Sequence, residues 1–135
     1  MKKIFLSLFI LLLAFNTKGM ADNSTSVKRI VEGDINAKIT IITFESLTCG
    51  HCADFHKNVY PELKKEFIDT GLVKIEFRHF PLDIAALNAS KISQCTNNGN
   101  SKMLHFLYSN QKKWVKSQTV EEINKDLKKL LKNEY

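Results

Sequence analysis

The stretch Ile39-Thr40-Ile41-Ile42-Thr43-Phe44-Glu45-Ser46-Leu47-Thr48-Cys49-Gly50-His51-Cys52 decides how this chain is read. Its first part is β-branched and aromatic, with apolar side chains on both faces. That is the pattern of a strand covered on both sides, so Lys38–Glu45 is expected to be the most central strand. Beyond the cysteines, Phe55, Val59, Leu63 and Phe67 recur at steps of four, which predicts one stripe of a helix ending near Gly71. Pro61 lies inside that helix and should kink it, because it lacks a backbone donor and crowds the carbonyl four residues back. Leu72–Arg78 then alternates, Val73, Ile75 and Phe77 against Lys74, Glu76 and Arg78, as a second strand does. Strand, helix and strand in this order predict a βαβ unit with parallel strands.

Working outward, residues 22–37 read as a flexible start with one edge strand around Val27–Val31. After Phe80-Pro81-Leu82 the pattern turns helical. Asp83 is an expected N-cap for Ile84–Cys95, and Asn97, Asn98, Gly99 and Asn100 break the run. A second helix is expected over Lys102–Trp114. A third should begin at Thr119, where Glu122 completes capping-box spacing, with Val120, Ile123, Leu127 and Leu130 as its stripe.

Two cysteines three apart at the start of a helix can close a short disulfide ring. The first lies where the helix dipole and unsatisfied N–H groups favour a thiolate, and such cysteines have pKa values of roughly 3.5 to 7.5 against about 8.5 for a free one. A stabilised Cys49 thiolate is a good leaving group, so the pair is expected to be redox-active, with His51 beside it to support the anion. Cys49 is expected to be attacked by a substrate thiolate and Cys52 to close or resolve the ring. A static disulfide is the weaker reading, since so short a loop gives little chain-closure stabilisation. A c-type haem site needs His directly after the second Cys, and residue 53 is Ala. Zinc would need Cys49, Cys52 and His56 with His79, His105 or Cys95, and no second tight pair exists to support it. His56 reads as a helix-surface or packing residue. Cys95, three after Ile92, reads as a buried structural thiol.

The N-terminus carries Lys2 and Lys3, then an Ile4–Phe15 run of 12 residues broken only by Ser7, then Asn16, Thr17 and Lys18. This is the order of a secretory signal, with small residues Gly19 and Ala21 suited to cleavage after Ala21, and the run is short of the ~20 residues a membrane span needs. A signal peptide over residues 1–21, export to the periplasm and no permanent membrane span are expected. The segment holds three lysines and no acid, so the formal charge of +6 falls to +3 over residues 22–135. The lysines from Lys112 to Lys132 are interspersed with Glu121, Glu122 and Asp126, a solvated helix face rather than a nucleic-acid site. Residues 22–135 suffice for one small domain.

The segment Ile39–Leu82 resembles the DsbA-like protein-disulfide oxidoreductases, in the branch with Cys-Ala-x-Phe-His after the site and a Phe-Pro-Leu turn after the second strand. Here these are Cys52-Ala53-Asp54-Phe55-His56 and Arg78-His79-Phe80-Pro81-Leu82. The helical run from Ile84 is similar to the insertion this family places inside its thioredoxin fold, with a cysteine near the place of Cys95. The similarity covers residues 32–132. It implies an α/β, thioredoxin-like βαβ unit with an inserted helical subdomain at about 83–132. It also implies thiol exchange at Cys49 and Cys52, exported protein thiols as substrates, an unidentified redox partner, and no metal or organic cofactor. The low end of the cysteine range quoted above is the DsbA family's own value.

Three departures bear on function. Gly50-His51 matches protein disulfide isomerases rather than the family's frequent Pro-His, which points to a less oxidising pair. Where many relatives carry a proton-accepting acid six residues before the first cysteine, this chain has Thr43, and Glu45 is not assigned that role. The family's cis-proline loop, later strands and last helix are expected to be missing, since neither Pro61 nor Pro81 suits that loop. The Ile39–Phe44 run should then form an exposed apolar edge. A truncated member acting as a binding fragment, or requiring a complementary polypeptide, is the rival expectation.

Overall fold

The structure is a computed structural model and describes residues 26–134. The expected signal peptide lies outside the described residues. Strands β1 (Ile30–Glu32), β2 (Ile39–Glu45) and β3 (Val73–His79) form a sheet of order β1-β3-β2. β2 and β3 run parallel from Ile39 opposite Val73 to Glu45 opposite His79, as the βαβ reading requires. β1 pairs antiparallel with β3, Ile30 opposite Phe77. Gly33 ends β1 with φ +100°, and a Cβ there would come within 2.7 Å of the Val73 carbonyl oxygen, so only glycine fits this turn.

The middle strand among the described residues is therefore β3, not β2. β2 has β3 on one side only; Ile39 and Phe44 are 58% and 62% exposed, matching the expected apolar edge and contradicting the expected cover on both faces. Along β3, Val73, Ile75 and Phe77 are buried in the core. The opposite side holds Glu76, buried between Arg29 and Arg78, which hold its carboxyl below the usual carboxylate range against the cost of burial.

The crossover is broken where one helix was expected. Helix α1 (Gly50–Asn58) ends at Val59, α2 (Tyr60–Leu63) has Pro61 in its first turn, and a π-helical turn follows over Lys64–Ile68. Proline is tolerated there, where its missing N–H is not needed, so the chain restarts rather than kinks. The inward stripe is displaced by one residue from the expected one, already before the wide turn. Val59 and Phe67 are exposed, Phe55 and Leu63 are half-buried, and His56, Tyr60 and Ile68 take the inner positions.

Helix α3 (Ile84–Ser93) starts as expected: Asp83 Oδ1 accepts from the Ala86 N–H at 2.7 Å. It stops two residues early, so Cys95 lies in a turn and is exposed, not buried; the three-residue spacing from Ile92 has no helical phase there. The expected Lys102–Trp114 helix is split into α4 (Lys102–Ser109) and α5 (Gln111–Trp114) at Asn110, whose side chain bonds back to the Phe106 carbonyl. Helix α6 (Val120–Glu134) has the expected cap: the Glu122 N–H donates to Thr119 Oγ1, which donates to Glu122 Oε2. Its Ile123, Leu127 and Leu130 are buried with Ile30, Leu47, Ile75, Leu104, Leu107 and Trp114 in one core cluster. No helix of the described residues is long and apolar enough to cross a membrane.

Candidate active site

β2 delivers the chain to a tight turn, closed by the Cys49 N–H donating to the Ser46 carbonyl at 3.0 Å, and α1 begins directly after it. Cys49 is the N-cap of α1, and its Sγ accepts from the Cys52 N–H at 3.4 Å. The predicted pair is thus brought together at a helix start, both thiols half-buried. His51 is exposed on the first turn, and among the described residues no hydrogen bond joins it to either sulfur.

The turn is held from two directions. From inside, Gln111 Nε2 donates to the carbonyls of Leu47 at 2.8 Å and Cys49 at 2.9 Å. From outside, Thr48 Oγ1 donates to Asp83 Oδ2 at 2.6 Å, while Ser46 Oγ accepts from the Leu82 N–H. Sequence reasoning missed Gln111. The available signal was a lone polar residue on the Leu104, Leu107, Trp114 stripe, where an unpaired amide would be costly.

Beneath α1 runs a chain of titratable groups. His56 Nε2 meets Glu45 Oε2 at 2.7 Å, His56 Nδ1 meets His105 Nδ1 at 3.2 Å, and His105 Nε2 meets Glu32 Oε1 at 2.5 Å. The Tyr60 hydroxyl donates to Glu32 Oε2. Burial alone would raise Glu32, but hydrogen bonds from His105, Ser101 and Tyr60 outweigh it and hold the carboxyl at about 2. His56 is a packing residue as expected, stacked on Tyr108 with ring centroids 4.0 Å apart, but it is buried and paired rather than at the surface. Glu45, set aside on sequence grounds, is buried too. Burial pushes the Cys52 thiol up to about 11, with the neighbouring Cys49 and Glu45 adding to the rise.

Both His56 ring nitrogens are engaged within this chain, His79 bonds Ser93 Oγ at 2.7 Å, and Cys95 is in an exposed turn. Among the described residues no three His, Cys, Asp or Glu side chains converge as a metal-binding group, so the zinc reading has no geometric support.

A thioredoxin family model matches residues 25–134. A Rickettsia bellii protein named "Putative protein-disulfide oxidoreductase" is 34% identical over 103 residues, covering 75% of this chain and 40% of its own length. The crystal structure of Wolbachia pipientis alpha-DsbA1 superposes with a TM-score of 0.60 at 33% identity, covering 76% of this chain and 54% of that one. A protein-disulfide isomerase from Novosphingobium aromaticivorans shares the fold, with a TM-score of 0.65 at 20% identity over 76% of this chain and 62% of its own. The chain thus spans about two fifths of the length of the curated relative and about half of the Wolbachia structure. Sheet order, cysteine-bearing helix start and family match agree, and the chain belongs to the thioredoxin superfamily, in its DsbA-like branch.

Proposed function

We propose that the protein is an exported thiol-disulfide oxidoreductase acting on the thiols of exported proteins through Cys49 and Cys52. The observation that carries this reading is the position of Cys49 as N-cap of α1, three residues before Cys52, with its sulfur on the Cys52 N–H. The names of the relatives support the same chemistry. A substrate thiolate attacks Cys49 Sγ, the Cys49–Cys52 bond breaks, and its electrons stay on Cys52. A second substrate thiolate then attacks the substrate sulfur of the mixed disulfide and Cys49 leaves. His51 supports the Cys49 anion electrostatically. A redox partner, still to be identified, restores the starting state, and the potential of the pair sets which direction dominates. Residues 1–21 act as the signal peptide and residues 22–135 as the working domain, with the helical part inserted at about 83–132.

Trapping tests this directly. Cys52→Ser should accumulate a mixed disulfide when its Cys49 thiolate attacks a substrate protein that carries a disulfide, one substrate sulfur leaving as the thiol, and Cys49→Ser should not. Equal accumulation in both variants, or none in either, would sink the proposal. A second reading is favoured by the exposed Ile39 and Phe44 on β2: the chain docks to a polypeptide through this edge with little turnover. Under that reading, Cys49→Ser and Cys52→Ser leave complex formation intact and no thiol exchange is detected with the unsubstituted chain.

A further inference from the structure

The cysteine-bearing helix has a face that the thiol chemistry above leaves unused. Gly50, Ala53, Asp54 and Lys57 recur at helical spacing along one stripe of α1 and line a cavity of about 610 Å³. A second wall is built by α4 and α5, with His105 and Ser109 from the first and Lys112 and Lys113 from the second. The cavity is in the size range of ligand clefts, ~300 to 1,000 Å³, and it starts beside the reactive pair because Gly50 directly follows Cys49. Two exposed lysines mark its length. Lys112 belongs to the cysteine end, since it follows Gln111, whose amide is bonded to the Cys49 carbonyl. Lys57 lies further down α1, about 10 Å from Gly50 at 1.5 Å of rise per residue, and the exposed Asp54 stands between. Among the described residues neither Lys57 nor Lys112 has an acid within ion-pair distance, whereas the other charged groups of the cleft are engaged: Lys113 by Glu134 at 2.7 Å, and His105 by Glu32 at 2.5 Å.

We propose that this cleft seats the substrate polypeptide on one side of its reactive cysteine and selects acidic residues there, one next to the cysteine at Lys112 and one three residues along at Lys57. This rests on the thiol-exchange reading above. An extended segment advances roughly 3.3 Å per residue, so three residues cover the same ~10 Å that separates Gly50 from Lys57. Ammonium groups facing a cleft between low-dielectric walls attract a carboxylate more strongly than the same groups on an open face. Asp54 repels an acid on the middle residue, which therefore gains nothing. An alternating preference distinguishes this cleft from a surface that is basic throughout. Lys57 and Lys112 hold the substrate and take no part in the exchange itself, which stays at Cys49 and Cys52.

The test uses the full chain carrying Cys52→Ser and Cys95→Ser, with single-cysteine peptides blocked as mixed disulfides with thionitrobenzoate. Cys49 attacks the peptide sulfur, the new disulfide forms, and the coloured thionitrobenzoate leaves, so its absorbance follows the exchange. Glutamate is placed at the first, second or third residue from the cysteine, with glutamine elsewhere, in one series running N-terminal and one running C-terminal. In one series, glutamate at the first or third residue should lower the half-saturating concentration about threefold each, with the maximal rate unchanged, and glutamate at the second should not. Lys112→Gln should remove the gain at the first residue only, and Lys57→Gln the gain at the third only. Lys128→Gln combined with Lys132→Gln takes two charges from a separate groove on α6 and should leave every gain in place. Gains that are absent, equal at all three residues, or removed alike by the cleft variants and the α6 pair overturn the proposal. If no peptide releases colour faster than from the chain carrying Cys49→Ser, the thiol-exchange reading itself fails, a result separable from loss of the acidic preference alone.

Discussion

Gln111 reaches from the core to hold the Leu47 and Cys49 carbonyls, whereas three residues before Leu47 the Phe44 side chain is turned largely to solvent. The turn that carries the cysteines and the strand that leads into it are thus supported on different terms. The turn is fixed by directional contacts from α3, α5 and its own Ser46. The strand pairs with β3 alone among the described residues, with Ile41 against the core and Glu45 on His56, and its exposed Phe44 has Arg78 5.7 Å from the ring centroid. The cysteine geometry is therefore set by the inner side of the fold and by the helical part, and does not depend on what covers the outer edge of β2.

Removing the inner support should have the largest effect. Gln111→Ala leaves the buried Leu47 carbonyl without its side-chain donor and the Cys49 carbonyl with the Ala53 N–H alone, and should cost about 2 kcal/mol. Urea unfolding would measure the loss, and a change within error of zero would show that the turn holds itself. Acid should act next, through Glu32. Its carboxyl is held at about 2 in the fold against 4.5, a depressed value, so its stabilisation is present above pH 4.5 and disappears as pH falls toward 2. After discounting for solvent screening in this partly exposed setting this should be about 1 kcal/mol. Glu32→Gln should flatten that part of the stability–pH curve, and an unchanged slope would place the acid sensitivity elsewhere. Phe44→Lys should have the smallest effect on stability, about 0.5 kcal/mol or less, while reducing self-association of a bare strand edge. Sedimentation at several concentrations would show it, and a large drop in melting temperature would mean that the edge residue contributes to the core after all.

Much of this was legible from local pattern. The strands at Ile39–Glu45 and Val73–His79, the Asp83 cap, the Thr119–Glu122 box and the cysteine pair at a helix start all follow from short-range spacing. What escaped depended on partners distant in sequence. His56, Glu45 and His105 look like unrelated polar residues until the fold places them in one line, spanning 60 residues of chain. The stripe failed at Phe67 because a π-helical turn over Lys64–Ile68 changes the angle per residue, which a fixed period cannot anticipate, and at Val59 because the helix breaks there. Cys95 was misplaced by extending a helix past its real end at Ser93.

One carboxylate does double duty. Asp83 caps α3 with Oδ1 and holds Thr48 with Oδ2, so fraying of the first turn of α3 and loosening of the residue beside Cys49 draw on the same side chain. The two events form a single local opening, with a shared free energy. The Ala86 amide, remote from either sulfur, should then report in hydrogen exchange on the condition of the cysteine turn. By reciprocity, whatever binds and tightens that turn should slow exchange at the start of α3.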